Sequence, residues 1–153
     1  MADDAVKVLW LVHGVNLDML GRRAPEHYGT VTLTEVRDAV MTHARPLGLV
    51  VRDFQTNHEG RMVEQLHALA RHDEPADAVI INPGAWTHYS WAIHDALELL
   101  DCPIAEVHLS DIESRQEWRR VSVVADLAAV RVSGKGVDGY LEAVDALLKL
   151  LRL

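Results

Sequence analysis

Residue types that move protons or hold anions gather early in this chain. The segment GVNLDMLGRRAPEHYG, residues 14–29, carries Arg22, Arg23, His27 and Tyr28. A phenol titrates near about pH 10, so a tyrosine serves as a base at neutral pH only beside compensating positive charge. A loop tyrosine is more often simply half-buried packing, so its neighbours decide between decoration and base. Other candidates lie elsewhere: His13, Asn16, Asn82, Thr87, His88, His108, Ser110, Arg115 and Arg119. Together with Arg23 and Tyr28 they offer donors in excess, arginines for an anion, and histidines and a tyrosine for proton transfer. Such a set can bind a carboxylate and several hydroxyls.

For these residues to meet, the elements before them must end at one rim. Short apolar runs predict strands at 6–12, 49–54, 78–82, 104–109 and 128–132. Several are continuous in Val, Ile and Leu, as strands buried on both faces are. Amphipathic stretches predict helices at 32–48, 57–73, 90–101 and 137–153, with Thr32, Asn57 and Ser90 as N-caps and Gly48 as a stop. Strand then helix, repeated about five times, implies an α/β fold with a five-stranded parallel sheet and helices on both faces. No linker or repeat divides the chain, so residues 1–153 read as a single domain. Ligands in such folds bind where strands end and loops lead into helices. The candidate residues occupy those loops.

Three segments, GVNLDMLGRRAPEHYG, NPGAWTHYSWAIHDAL and EVHLSDIESRQEWRR, resemble the signature segments of type II 3-dehydroquinate dehydratases. FQTNHEG (54–60) and SGKGVDGY (133–140) are similar to further family segments, and the similarity runs in order from about residue 6 to 145. The resemblance implies a flavodoxin-like fold and the reversible removal of water from 3-dehydroquinate, a step of the shikimate route to aromatic amino acids. It implies an enolate intermediate, with neither metal nor cofactor. It makes Tyr28 the base, Arg23 the residue that tunes it, His108 the general acid and Asn16 the group that stabilises the enolate oxygen, through a water. Asn82, His88, Leu109, Ser110 and Arg119 match substrate-binding positions, with Leu109 and Ser110 offering backbone N–H groups. Asp95 matches an acid that reaches a neighbouring subunit's site, and the family assembles trimers into dodecamers. Glu106, two residues before His108, points the same way in a strand and can orient the imidazole.

Composition narrows the remaining possibilities. A formal net charge of −8 argues against a nucleic-acid partner but not against a small anion met by local arginines. With no signal-peptide pattern and no apolar run of membrane length, the expected place is the cytoplasm. One cysteine, Cys102, reads as a small packing residue. Lys7 and Lys149 lie away from the rim, which disfavours a Schiff-base route. His13, His88 and His108 lack tight metal-ligand spacing. GKGVDG imitates a dinucleotide fingerprint but precedes the last helix, with no strand after it. Several positions depart from the commonest family pattern: His13 for asparagine, Val15 for proline, Ala24 for glutamate, Val121 for histidine. Two alternatives follow, a sister dehydratase acting on an amino-substituted dehydroquinate and a non-catalytic flavodoxin-like binding module. A receiver domain would need acids where His13, Asn16 and the arginines stand.

Overall fold

A computed structural model describes residues 5–152. Its five strands are β1 (Lys7–His13), β2 (Leu49–Gln55), β3 (Ala78–Asn82), β4 (Ile104–His108) and β5 (Val130–Ser133). All pair in parallel, in the order β2-β1-β3-β4-β5. That is the doubly wound order of flavodoxin-like folds, in which the chain reverses its direction of winding between β1 and β3.

Side chains alternate across a strand, and here both sides are apolar. Leu9 and Leu11 of β1, Ala78 and Ile80 of β3, and Ala105 and Val107 of β4 face one core. The helices α2 (Leu33–Ala44) and α5 (Gly136–Leu151) complete it with Val36, Val40, Val144 and Leu147. Trp10, Val12, Val79, Ile81 and Ile104 face the other core, against α3 (Glu59–Ala70) and α4 (Trp91–Glu98). A short helix, α1 (Pro25–Tyr28), lies within what reads in sequence as a plain loop, with Pro25 in its first turn.

The strands follow the expected segments within one or two residues. The helices are shorter than their apolar patterns suggest. Thr32 caps α2 through a capping box with Glu35. The helix then stops at Ala44, because Pro46 draws the next residues into a 3-10 turn that closes at Gly48. Ser90 caps α4 as expected. Asn57 does not cap α3: His58 holds that position without a side-chain bond. The Asn57 side chain instead accepts from the Asn16 N–H and donates to Asp18, tying the loop after β1 to the loop after β2. Residue 153 of the last expected helix lies outside the described residues. None of the described helices is long and apolar enough to cross a membrane.

The ends of β1 and β3 touch. Gly14 N–H donates to the Asn82 carbonyl at 2.8 Å. A Cβ at Gly14 would collide with the Pro83 carbonyl, and one at Gly84, whose φ is +65°, would lie 2.5 Å from the Val15 carbonyl oxygen. Only glycine allows this approach. Gly14→Ala is therefore expected to lower stability by about 3 kcal/mol, measured by urea unfolding.

Candidate active site

A cleft of about 350 Å³ opens beyond the C-terminal ends of β1, β3 and β4. Its lining includes Arg23, Tyr28, Asn82, His88, His108, Leu109, Ser110, Arg115 and Arg119, with Leu17 and Ile112 as apolar walls. It lies at the point where the sheet changes its direction of winding, where open α/β sheets bind ligands.

Tyr28 reaches the cleft from α1. Its hydroxyl oxygen accepts from Arg23 Nη2 at 2.9 Å and from Arg115 Nη1 at 2.5 Å. The Arg23 guanidinium carbon also stands 3.9 Å from the ring centre. The phenol oxygen thus sits between two cations, in the surroundings of an acceptor rather than a donor. Arg119 completes the positive rim and lies over the half-exposed Trp118 ring at 4.1 Å. Burial and the neighbouring Arg115 charge lower its pKa, Tyr28 partly reverses that, and Arg23 lowers it again. Arg115 and Arg119 each keep a buried Nε–H without a protein partner among the described residues. A protein of net charge −8 has concentrated cations where an anion would sit.

Glu106 and His108 come from the same side of β4. Glu106 is buried, and its carboxylate takes His108 Nε2 at 2.7 Å, the Ser122 hydroxyl at 2.9 Å and Arg131 Nε at 3.1 Å. Burial alone would raise the Glu106 pKa. The bond and charge of His108, then Arg131 and Ser122, outweigh burial and hold it below the usual carboxylate value. A charged, fully bonded carboxylate fixes the imidazole. Nδ1 is then the ring nitrogen of His108 left for the cleft.

His88 Nδ1 meets the Val121 carbonyl at 2.6 Å and so acts as its donor, which leaves Nε2 as an acceptor. Burial lowers its pKa. The Val121 bond opposes this, and the charges of His108 and Arg119 reinforce it. The carbonyls of Leu109 and Ser110 are engaged by the N–H groups of Gly136 and Gly134, which anchors the end of β4 to the start of α5.

The comparisons with known proteins agree with this geometry. The family model for Dehydroquinase class II matches residues 7–148. A 3-dehydroquinate dehydratase of Syntrophotalea carbinolica is 51% identical over 135 residues, covering 88% of this chain and 90% of its own. One of Pelobacter propionicus is 48% identical, covering 95% and 97%. The crystal structure of a type II dehydroquinase from Propionibacterium acnes superposes with a TM-score of 0.87 at 40% identity, covering 94% of this chain and 97% of that one. The chain belongs to the class II dehydroquinases.

Not every residue expected at the site of this dehydroquinase reaches the cleft. Asn16 sits in a left-handed turn, φ 66°, exposed and outside the lining. Asp95, expected to reach a neighbouring subunit's site rather than this one, stands on the exposed face of α4, bonded to His94. His94, Asp95 and Glu98 form the one group of metal-ligating types gathered among the described residues, away from the cleft. His13, expected on the rim, is instead buried behind it, because its parity with Leu9 and Leu11 turns it toward α5. Arg115 was legible only as a rim residue. Its bond to Tyr28 spans 87 positions and follows no local pattern. Ser122 and Arg131 carried no signal, since their roles exist only through Glu106.

Burial lowers the His13 pKa from 6.5 to about 3, so the native ring stays neutral. The unfolded chain binds its proton below pH 6.5 and the native protein does not. The contribution of His13 is thus complete above 6.5 and lost as pH falls toward 3. Unfolding at pH 7, 5.5 and 4.5 should show His13→Gln losing less stability than the parent, by up to about 1.4 kcal/mol per pH unit.

Proposed function

We propose that this dehydroquinase dehydrates 3-dehydroquinate to 3-dehydroshikimate in the shikimate pathway. The observation that carries the reading is Tyr28, a phenol held between Arg23 and Arg115 in a cleft also lined by His108, whose imidazole is bonded to Glu106 behind it.

Tyr28, as the phenolate, takes the proton from the carbon beside the ring ketone. The electron pair passes to the ketone oxygen, forming an enolate. Asn16, next to the cleft-lining Leu17, stabilises that oxygen through a water. The enolate then collapses and expels the hydroxyl of the neighbouring carbon. His108 gives that hydroxyl its proton from Nδ1, and water leaves. Glu106 stabilises the imidazolium before transfer and keeps the ring in one orientation. The substrate carboxylate meets the backbone N–H groups of Leu109 and Ser110, and Asn82, His88 and Arg119 bind the ring oxygens. The separate cation partners of Tyr28 and the carboxylate partner of His108 keep base and acid distinct.

We read the working form as a cytoplasmic homo-oligomer of trimers assembled into a dodecamer. Tyr89, Trp91, Trp118 and Val121 leave exposed apolar surface beside the cleft. Trp91 and Asp95 lie four residues apart on α4 and so share a face, which suits Asp95 for a neighbouring subunit's site. Light scattering should give a mass about twelve times that of one chain.

The catalytic reading is tested by the ultraviolet absorbance of the conjugated enone formed from 3-dehydroquinate. Wild type should turn over and resist borohydride. Tyr28→Phe should lose about 10²- to 10⁴-fold in kcat, and Arg115→Ala should lose activity with its fold intact. Full activity in Tyr28→Phe would end this assignment.

A further inference from the structure

His13 is a buried titratable group that the proposed chemistry does not use. It ends β1, and Asn82 ends β3 as its direct neighbour in the sheet register. Both follow the alternation that faces α5, where Tyr140 is fully buried. The Tyr140 hydroxyl lies 2.9 Å from His13 Nε2 and 3.0 Å from Asn82 Nδ2. On its other side Asn82 Oδ1 accepts the Gly84 N–H at 3.1 Å. Asn82 in turn lines the cleft beside Arg23, Tyr28 and His108.

Nδ2 of an amide only donates, so the Tyr140 oxygen accepts from Asn82. The buried hydroxyl proton then has an acceptor only if His13 carries its own proton on Nδ1 and leaves Nε2 free, and the hydrogen-bond chain requires this tautomer. Burial keeps that ring neutral. A reversed Asn82 amide would set two N–H groups against each other at Gly84. It would also need the hydroxyl proton that His13 holds. Without an acceptor at position 13, that proton is free to turn toward Asn82, and only Gly84 still opposes reversal. One Nδ2–H of Asn82 is left over, beside the arginines.

We propose that His13 is a positioning residue that acts through Tyr140 to hold the Asn82 carboxamide with its N–H edge toward an oxygen of the substrate. This rests on the reading of the cleft as the 3-dehydroquinate site. The chain converts a buried histidine into a selector for ligands that present an acceptor oxygen, carboxylate or hydroxyl, at that point.

The test compares wild type, His13→Leu, Tyr140→Phe and the double variant with 3-dehydroquinate. Each single variant should raise KM about tenfold while kcat falls less than threefold. The double variant should be no worse than either single, since all break one chain. His13→Gln, whose amide oxygen can accept the hydroxyl proton, should bring KM back to within threefold of wild type. Unchanged KM in folded Tyr140→Phe, multiplied effects in the double variant, or failure of His13→Gln to improve on His13→Leu would each overturn the proposal. A second readout needs no turnover. The urea midpoint lost in His13→Leu with Asn82→Ala should be less than the sum of the two losses, and equal to it in a Tyr140→Phe background. Additivity in both backgrounds overturns the chain. A folded wild type that leaves 3-dehydroquinate unchanged refutes the proposed function, and the unfolding cycle then decides the His13 chain by itself.

Discussion

A parallel sheet covered by helices on both faces leaves no wet side for a polar side chain. Every polar group on its central strands β1, β3 and β4 must either stand at an end or find a partner inside the protein, whereas edge strand β2 keeps Arg52 and Asp53 in solvent. Leu9 to Val12 and Ala78 to Ile81 keep apolar side chains between the ends, apart from the Trp10 indole N–H, which donates to the Pro75 carbonyl at 2.8 Å. The same constraint explains what stands at the ends. His13 and Asn82, turned toward α5, share the Tyr140 hydroxyl. Glu106 and His108, turned the other way, bond each other and draw in Ser122 and Arg131. Two polar chains thus run down opposite faces of one sheet and meet at its C-terminal rim. Each fixes a cleft-lining side chain, Asn82 on one face and His108 on the other.

The loops above that rim answer to a different force. Between residues 21 and 30 only Arg23 and Tyr28 are even half-buried, and between 111 and 120 the same holds for Arg115 and Arg119 beside buried Ile112. Neither segment has a core of its own. They are joined by the Arg23–Tyr28–Arg115 contact, in which one phenol oxygen faces two cations. Guanidiniums crowded together repel one another, and the lowered pKa of Arg119 records burial together with that repulsion. The relief available is a negative group, either the phenolate or a bound anion. An anionic ligand placed there would relieve the repulsion among Arg23, Arg115 and Arg119.

This division also explains what the sequence made legible. Strand runs such as AVIIN are visible because burial on both faces demands uninterrupted apolar residues, and Glu106 with His108 is visible because strand parity is local. His13 reads as a rim residue from its place at a strand end, although the same parity, counted from Leu9, turns it inward. Asn57 reads as a cap, but an N-cap residue type says nothing about competing partners one loop away. Arg115 and Tyr140 were beyond any local rule. Each matters through a contact with a residue 58 to 127 positions distant.

The consequence is an asymmetry between the two groups to which the proposed reaction gives proton transfer. His108 is 6% exposed, ends a central strand, and is bonded to a carboxylate that is itself bonded three ways. Its position is as rigid as the sheet. Tyr28 ends a four-residue helix in an exposed loop, and its hydroxyl is held by two side chains rather than by packing. Its partly buried ring packs against the core, so opening the loop would break that packing as well as the two bonds, a smaller burial than the one that encloses His108. The end of β4 therefore forms the firm side of the cleft, and the Tyr28 loop, joined to the segment after β4 through Arg115, forms the side with fewer buried contacts holding it.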